Sequence, residues 1–160
     1  MANTMRWRYG DTNPVVLPVA SAVEVEIGDL VYLESSTGAA RPASDVTDQG
    51  SALLTQLAFQ DGFVGVAMQA SPSGEAGSIR VATSGVFELD CDAATWSLGE
   101  AVTPATNGAG DQLLDQKVEA ASSLTAAIGR CAKAAPTNTT RVLADLVSVV
   151  MRGGPQAAES

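Results

Sequence analysis

The chain has 160 residues, long enough to bury a core of its own without disulfides or metals. Hydrophobic residues make up 46% of it and aromatics only 4%, so the core must be built from Val, Leu, Ile and Ala, which suit pleated sheet. Eighteen acidic residues stand against nine basic ones, for a net charge of −9, and there is no histidine. A general nucleic-acid-binding role is therefore disfavoured, and the commonest general base and metal ligand are missing.

Residues 1–22 read as an extended arm. Pro14 and Pro18 lack a backbone donor and bias the residues before them away from helix. Arg6, Trp7, Arg8 and Tyr9 place one of two tryptophans, one of two tyrosines and two cations at this end. From about Val23 the pattern has period two. Val23–Ile27 alternates apolar residues with glutamates, Gly28-Asp29 makes a turn, and Leu30–Leu33 leaves it as a second strand. Ser51–Phe59 breaks the rhythm with apolar spacings of three and four, predicting a short helix with Asp48 as its cap.

Phe63–Met68 is again a strand, with Gly65 marking a bulge or a close backbone approach. Ile79–Thr83 alternates. Val86–Asp92 puts Phe87, Leu89 and Cys91 on one face and Glu88, Asp90 and Asp92 on the other. Alternating acids of this kind read as a wet face rather than a metal site. Asp115–Ala127 is a second, weaker helix candidate, and Arg141–Met151 reads as a strand buried on both faces. The domain spans 23–152, and residues 153–160, which begin Gly-Gly-Pro, read as a short disordered tail.

Cys91 and Cys131 are expected to be two buried thiols rather than a disulfide. No apolar h-region or membrane-length apolar run is present, so neither secretion nor a membrane partner is expected.

The two halves echo each other. Ile27-Gly28-Asp29-Leu30-Val31 recurs as Leu98-Gly99-Glu100-Ala101-Val102. Val64-Gly65-Val66-Ala67 recurs as Ile128-Gly129-Arg130-Cys131, and Ile79-Arg80-Val81 as Thr140-Arg141-Val142. A period near seventy residues is too long for a solenoid in a chain of this length. The expected fold is mainly β, a β-barrel or β-sandwich of two related halves with one or two short helices and the N-terminal arm.

The stretch FVGVAMQASPSGEAGSIRVATSGVFELD, followed by WSLGEAVTP, resembles the phage capsid decoration proteins, also called capsid cement proteins. The shared elements fall at Gly28-Asp29, Gly65-Val66-Ala67, Gly74-Glu75, Gly85-Val86-Phe87 and Gly99-Glu100-Ala101-Val102, within about Val23 to Leu146. The resemblance implies a virion structural protein without cofactor, made in the host cytoplasm. It would bind the outer face of the assembled major capsid protein shell, staple neighbouring subunits and associate as a homotrimer.

On that reading the arm supplies the contacts. Trp7 and Tyr9 each offer an apolar face with a polar tip, and Arg6 and Arg8 can pair with a partner's carboxylates. The run Asn13, Pro14, Val15, Val16, Leu17 and Pro18 can add to a sheet edge of the capsid or a sister protomer. The plainer alternative is that Trp7 folds back on its own barrel as a lid.

Two rival classes remain. Catalysis is not expected, since no Gly-x-Ser-x-Gly, Walker or Gly-x-Gly-x-x-Gly motif appears. A carbohydrate- or surface-binding β-sandwich would need aromatic platforms, and only Trp96 and Tyr32 remain outside the arm to build one.

Overall fold

The computed structural model describes residues 4–152. The tail expected over 153–160 lies outside the described residues.

The strands in chain order are β1 (Trp7–Tyr9), β2 (Val15–Val19), β3 (Leu30–Glu34), β4 (Ala39–Pro42), β5 (Phe63–Ala67), β6 (Gly77–Ala82), β7 (Ser84–Trp96), β8 (Ala101–Thr106), β9 (Leu113–Ala120), β10 (Gly129–Cys131) and β11 (Ala135–Val147). Helix α1 (Ala52–Asp61) sits between β4 and β5, and a single turn, α2 (Val149–Arg152), follows β11.

The two related halves are two barrels of the same course. One sheet has the order β2-β6-β5-β3-β4, and the other runs β1-β7-β11-β10-β8-β9. Setting β1 aside, the second order is the first with every strand advanced by five. The register repeats too. Leu30 lies opposite Val66 and Val31 opposite Gly65, while Ala101 lies opposite Arg130 and Val102 opposite Gly129. Gly65 and Gly129 are thus equivalent. A β-carbon at either would overlap a carbonyl oxygen of the next strand, that of Ala82 or Asp145.

The third echo is displaced by two residues. Ala67 faces Val81, whereas the equivalent Cys131 faces Ala144 rather than Val142, so the match of Arg80 with Arg141 is a coincidence of sequence.

The second sheet closes on itself by a parallel pairing of Asp90 and Cys91 in β7 with Lys117 and Val118 in β9, which makes it a barrel rather than a sandwich leaf. In the first sheet β2 and β4 come together without a ladder. Pro18 stands where Asp90 stands in the second barrel and has no N–H to give.

Each barrel has its own lumen. Val19, Val31, Val64, Ala67, Ile79 and Val81 fill the first. Their counterparts Cys91, Val102, Ile128, Cys131, Val142 and Ala144 belong to a larger core that includes Leu30, Phe63 and Val66, so it extends to the other face of β3 and β5. Both cysteines are free thiols buried in it. Helix α1 bridges the barrels. Its Phe59 is buried edge-on against Tyr32 at 5.9 Å, and its Gln56 donates to the Pro104 carbonyl oxygen of β8 at 2.9 Å.

Four local expectations are corrected. Val23–Ile27 is not a strand: Val23 and Val25 are buried as the alternation requires, but the segment joins no ladder and makes a single isolated bridge, Val25 to Ser71. The α1 cap is Ser51, whose hydroxyl accepts from the Leu54 amide, while Asp48 accepts from the Gly50 amide in the preceding turn. Asp115–Ala127 is not a helix: its first part, to Ala120, is the end of β9, and only a 3₁₀ turn follows at Leu124–Ala126. β11 is buried on one face, through Val142, Ala144 and Leu146, and ends at Val147, two residues before α2 begins at Val149.

Candidate functional site

The two N-terminal strands find partners within the chain. β1 pairs antiparallel with β7, Trp7 opposite Phe87 and Tyr9 opposite Val86, and β2 pairs with β6 along its whole length. Each is the outermost strand of its sheet order. The link between them is held at Asn13, which adopts a left-handed φ of 41°. Its side-chain amide donates to Ser84 Oγ at 3.0 Å, and its carbonyl oxygen accepts from Thr83 Oγ1 at 2.7 Å. Asn tolerates this backbone region better than most residues.

Pairing of β1 with β7 sets the arm's cations against the acidic face of β7. Arg6 Nη2 lies 2.7 Å from Asp90 Oδ1, and Arg8 pairs with Glu88. Arg141 of β11 reaches the same two carboxylates, at 3.5 Å to Glu88 and 3.6 Å to Asp90. Lys117 takes Asp92 at 2.5 Å. The carboxylate partners expected on another molecule are therefore met inside the chain. Partial burial alone would raise the Glu88 carboxyl, but the hydrogen bond and charge of Arg8, with Arg141 and Arg6 behind it, carry it below its ordinary value. Among the described residues no three His, Cys, Asp or Glu side chains are grouped to hold a metal.

The apolar members of the arm divide by strand alternation. Val15 and Leu17 are half-buried and pack on the first barrel's core, so they anchor the strand. Val16, between them, is 62% exposed, and Trp7 and Tyr9 are 47% and 54% exposed. Trp7 is not a closed lid: its indole N–H donates to the Gly10 carbonyl oxygen at 2.9 Å while half its surface faces solvent. Asn13 and Pro14 are exposed as well. Residues 7–16 thus present two large aromatics and one valine along a ridge whose backbone is held by the barrels.

Beside this ridge lies a cleft of about 550 Å³, walled by Arg8 and Tyr9 on one side and by Lys133 to Pro136 on the other, with Glu88 and Arg141 across it. Lys133, Glu88 and Arg141 were not picked out as site residues by the sequence. Glu88 lies far along the chain from Lys133 and Arg141, and the β7–β11 ladder brings them together.

The two aromatics outside the arm that a sugar-binding platform was expected to use are not open to solvent. Trp96 is 2% exposed and belongs to the core, and Tyr32 is half-buried against Phe59.

No curated protein matches the chain. The solved head fiber gp8.5 N base of bacteriophage phi29 overlaps 83% of this chain and 93% of its own at 10% identity, with a TM-score of 0.44. The family model for phage cement proteins matches residues 41–146, from β4 through nearly all of β11. That match takes in β5 and β6 of the first barrel, helix α1 and nearly all of the second barrel, about two thirds of the chain, and by it the chain belongs to the phage cement proteins, structural proteins of the virion.

Proposed function

We propose that this protein binds the outer surface of the assembled major capsid shell and cements neighbouring subunits, acting as a homotrimer and without catalysis. It would be made in the host cytoplasm and added to the head, with no nucleic acid, membrane or cofactor as partner. The observation that carries this reading is the ridge of Trp7, Tyr9 and Val16, each close to half exposed or more in a chain with few aromatics. Exposed aromatics on a fixed backbone are what binding hot spots are made of, because little freedom remains to be lost on docking.

Residues 1–22 act as the contact-bearing segment, and 23–152 as the body that carries it. Repeated over a shell, a modest affinity per site becomes strong reinforcement. The acidic balance keeps the solvent-facing side soluble and away from packaged DNA.

Co-sedimentation with heads that lack this protein tests the reading. Wild-type protein should pellet with heads in a saturable way, and a Trp7→Ala/Tyr9→Ala/Val16→Ser variant should remain in the supernatant while staying folded. Equal pelleting of the two would remove the ridge from the contact, and no pelleting of wild type would remove the capsid as partner.

A further inference from the structure

The cleft beside β1 is lined by more cations than carboxylates. Three cations, Arg8, Arg141 and Lys133, surround it, with Glu88 as the one carboxylate, in a chain whose net charge is −9. Glu88 is already engaged by Arg8 and Arg141. Among the described residues Lys133 has no ion pair, and it sits exposed on the turn between β10 and β11. The cleft's far wall is apolar, made by Ala134, Ala135 and Pro136, and Tyr9 forms the near edge with its phenol in solvent. At about 550 Å³ it falls within the ~300–1,000 Å³ common for ligand-holding clefts.

Resting on the capsid-binding reading above, we infer that this cleft receives a carboxylate-bearing surface segment of the shell protein. One carboxylate of that segment pairs with Lys133, and its apolar part lies on the Ala134–Pro136 wall. The surplus positive charge selects an anion. The apolar wall selects a peptide over a bare phosphate, and the negative field of the remaining surface opposes a polyanionic nucleic acid. The exposed Tyr9 belongs to both the ridge and the cleft's edge, and so joins the two surfaces.

Lys133 is exposed without an ion pair among the described residues, and Arg141 is exposed but paired with Glu88 and Asp90, so circular dichroism and the unfolding midpoint of each variant establish that it is folded before binding is read. The test uses the intact protein and heads that lack it. A Lys133→Glu/Arg141→Glu variant should bind heads about tenfold or more weakly at low salt, with the difference shrinking as salt rises. The charge-conserving Lys133→Arg variant should bind within about threefold of wild type. Carbodiimide, which joins an amine to a carboxylate in salt-bridge contact, should link Lys133 to an Asp or Glu of the shell protein by mass spectrometry, and Lys133→Arg should lose that product. Unchanged binding by the double reversal overturns the inference while leaving the capsid reading intact, as does a Lys133 product formed only with another copy of this chain. If wild type fails to bind heads at all, the capsid reading fails and the inference with it.

Discussion

Gln116 of the second barrel donates to the buried carboxyl of Asp29 in the first, Nε2 to Oδ1 at 2.8 Å, and so ties the two barrels across their seam. Asp29 also accepts from the Glu26 amide at 2.9 Å, which shapes the turn into β3. Burial outweighs both hydrogen bonds and, with help from Asp115 and Glu26 nearby, pushes the Asp29 pKa up from 3.8 to about 6.

A folded-state pKa above the unfolded value means that the folded chain holds this proton more tightly. The associated stability is fully present below 3.8 and is lost as pH rises through about 6. Asp115, raised in the same direction mainly by its burial, adds to the trend. The stability difference between wild type and Asp29→Asn should shift by on the order of 1 kcal/mol between pH 5 and pH 7, wild type losing ground as pH rises. Urea unfolding at the two pH values measures it, and a difference that does not move with pH contradicts the assignment.

The equivalence of Gly65 and Gly129 predicts that alanine is refused at both for the same reason. Its β-carbon would overlap backbone oxygen, which cannot swing aside as a side chain would. Each substitution should cost about 1–3 kcal/mol or more. Gly108→Ala, where nothing lies within 4 Å, should stay within about 0.5 kcal/mol of wild type. Denaturant midpoints of the three variants decide between this and a merely sequence-level repeat.

Helix α1 joins the barrels, so its cap bears on both. Ser51→Ala removes the hydroxyl that accepts from Leu54 at 3.2 Å and should destabilise the protein by about 1 kcal/mol. Asp48→Ala should cost less, because Asp48 serves only the turn before the helix. Thermal unfolding of the two variants ranks them, and the reverse order would restore Asp48 as the cap.

Trp7 and Tyr9 separate binding from stability. Both are about half exposed, so Trp7→Ala/Tyr9→Ala should leave the unfolding midpoint nearly unchanged while lowering head affinity by about tenfold or more. A large loss of stability with unchanged affinity would make the ridge part of the fold rather than of the contact.

How far these features were legible in the sequence depended on the range of the interaction. Turn glycines, alternating strands and the echo of Gly65 in Gly129 are local signals, and they gave the two-part β architecture. Val23–Ile27 failed as a strand because alternation reports burial, whereas a strand also needs a neighbour to pair with. β9 failed because its apolar residues carry both a helical and an alternating spacing, and pairing with β8 decided the matter.

Among the proposed contact residues, Trp7, Tyr9 and Val16 turned out exposed, while Val15 and Leu17 pack inward, as alternation along one strand requires. That Arg6 and Arg8 meet Asp90 and Glu88 was not readable, since those residues stand some eighty positions away. The Lys133 cleft lay beyond reach for the same reason.

The most direct test is a cryo-electron microscopy reconstruction of the particle that carries this protein. The account predicts density for the two barrels outside the shell, with Trp7, Tyr9 and Val16 turned onto the major capsid protein. A head whose outer surface lacks this chain, or one in which that ridge faces only solvent, would contradict it.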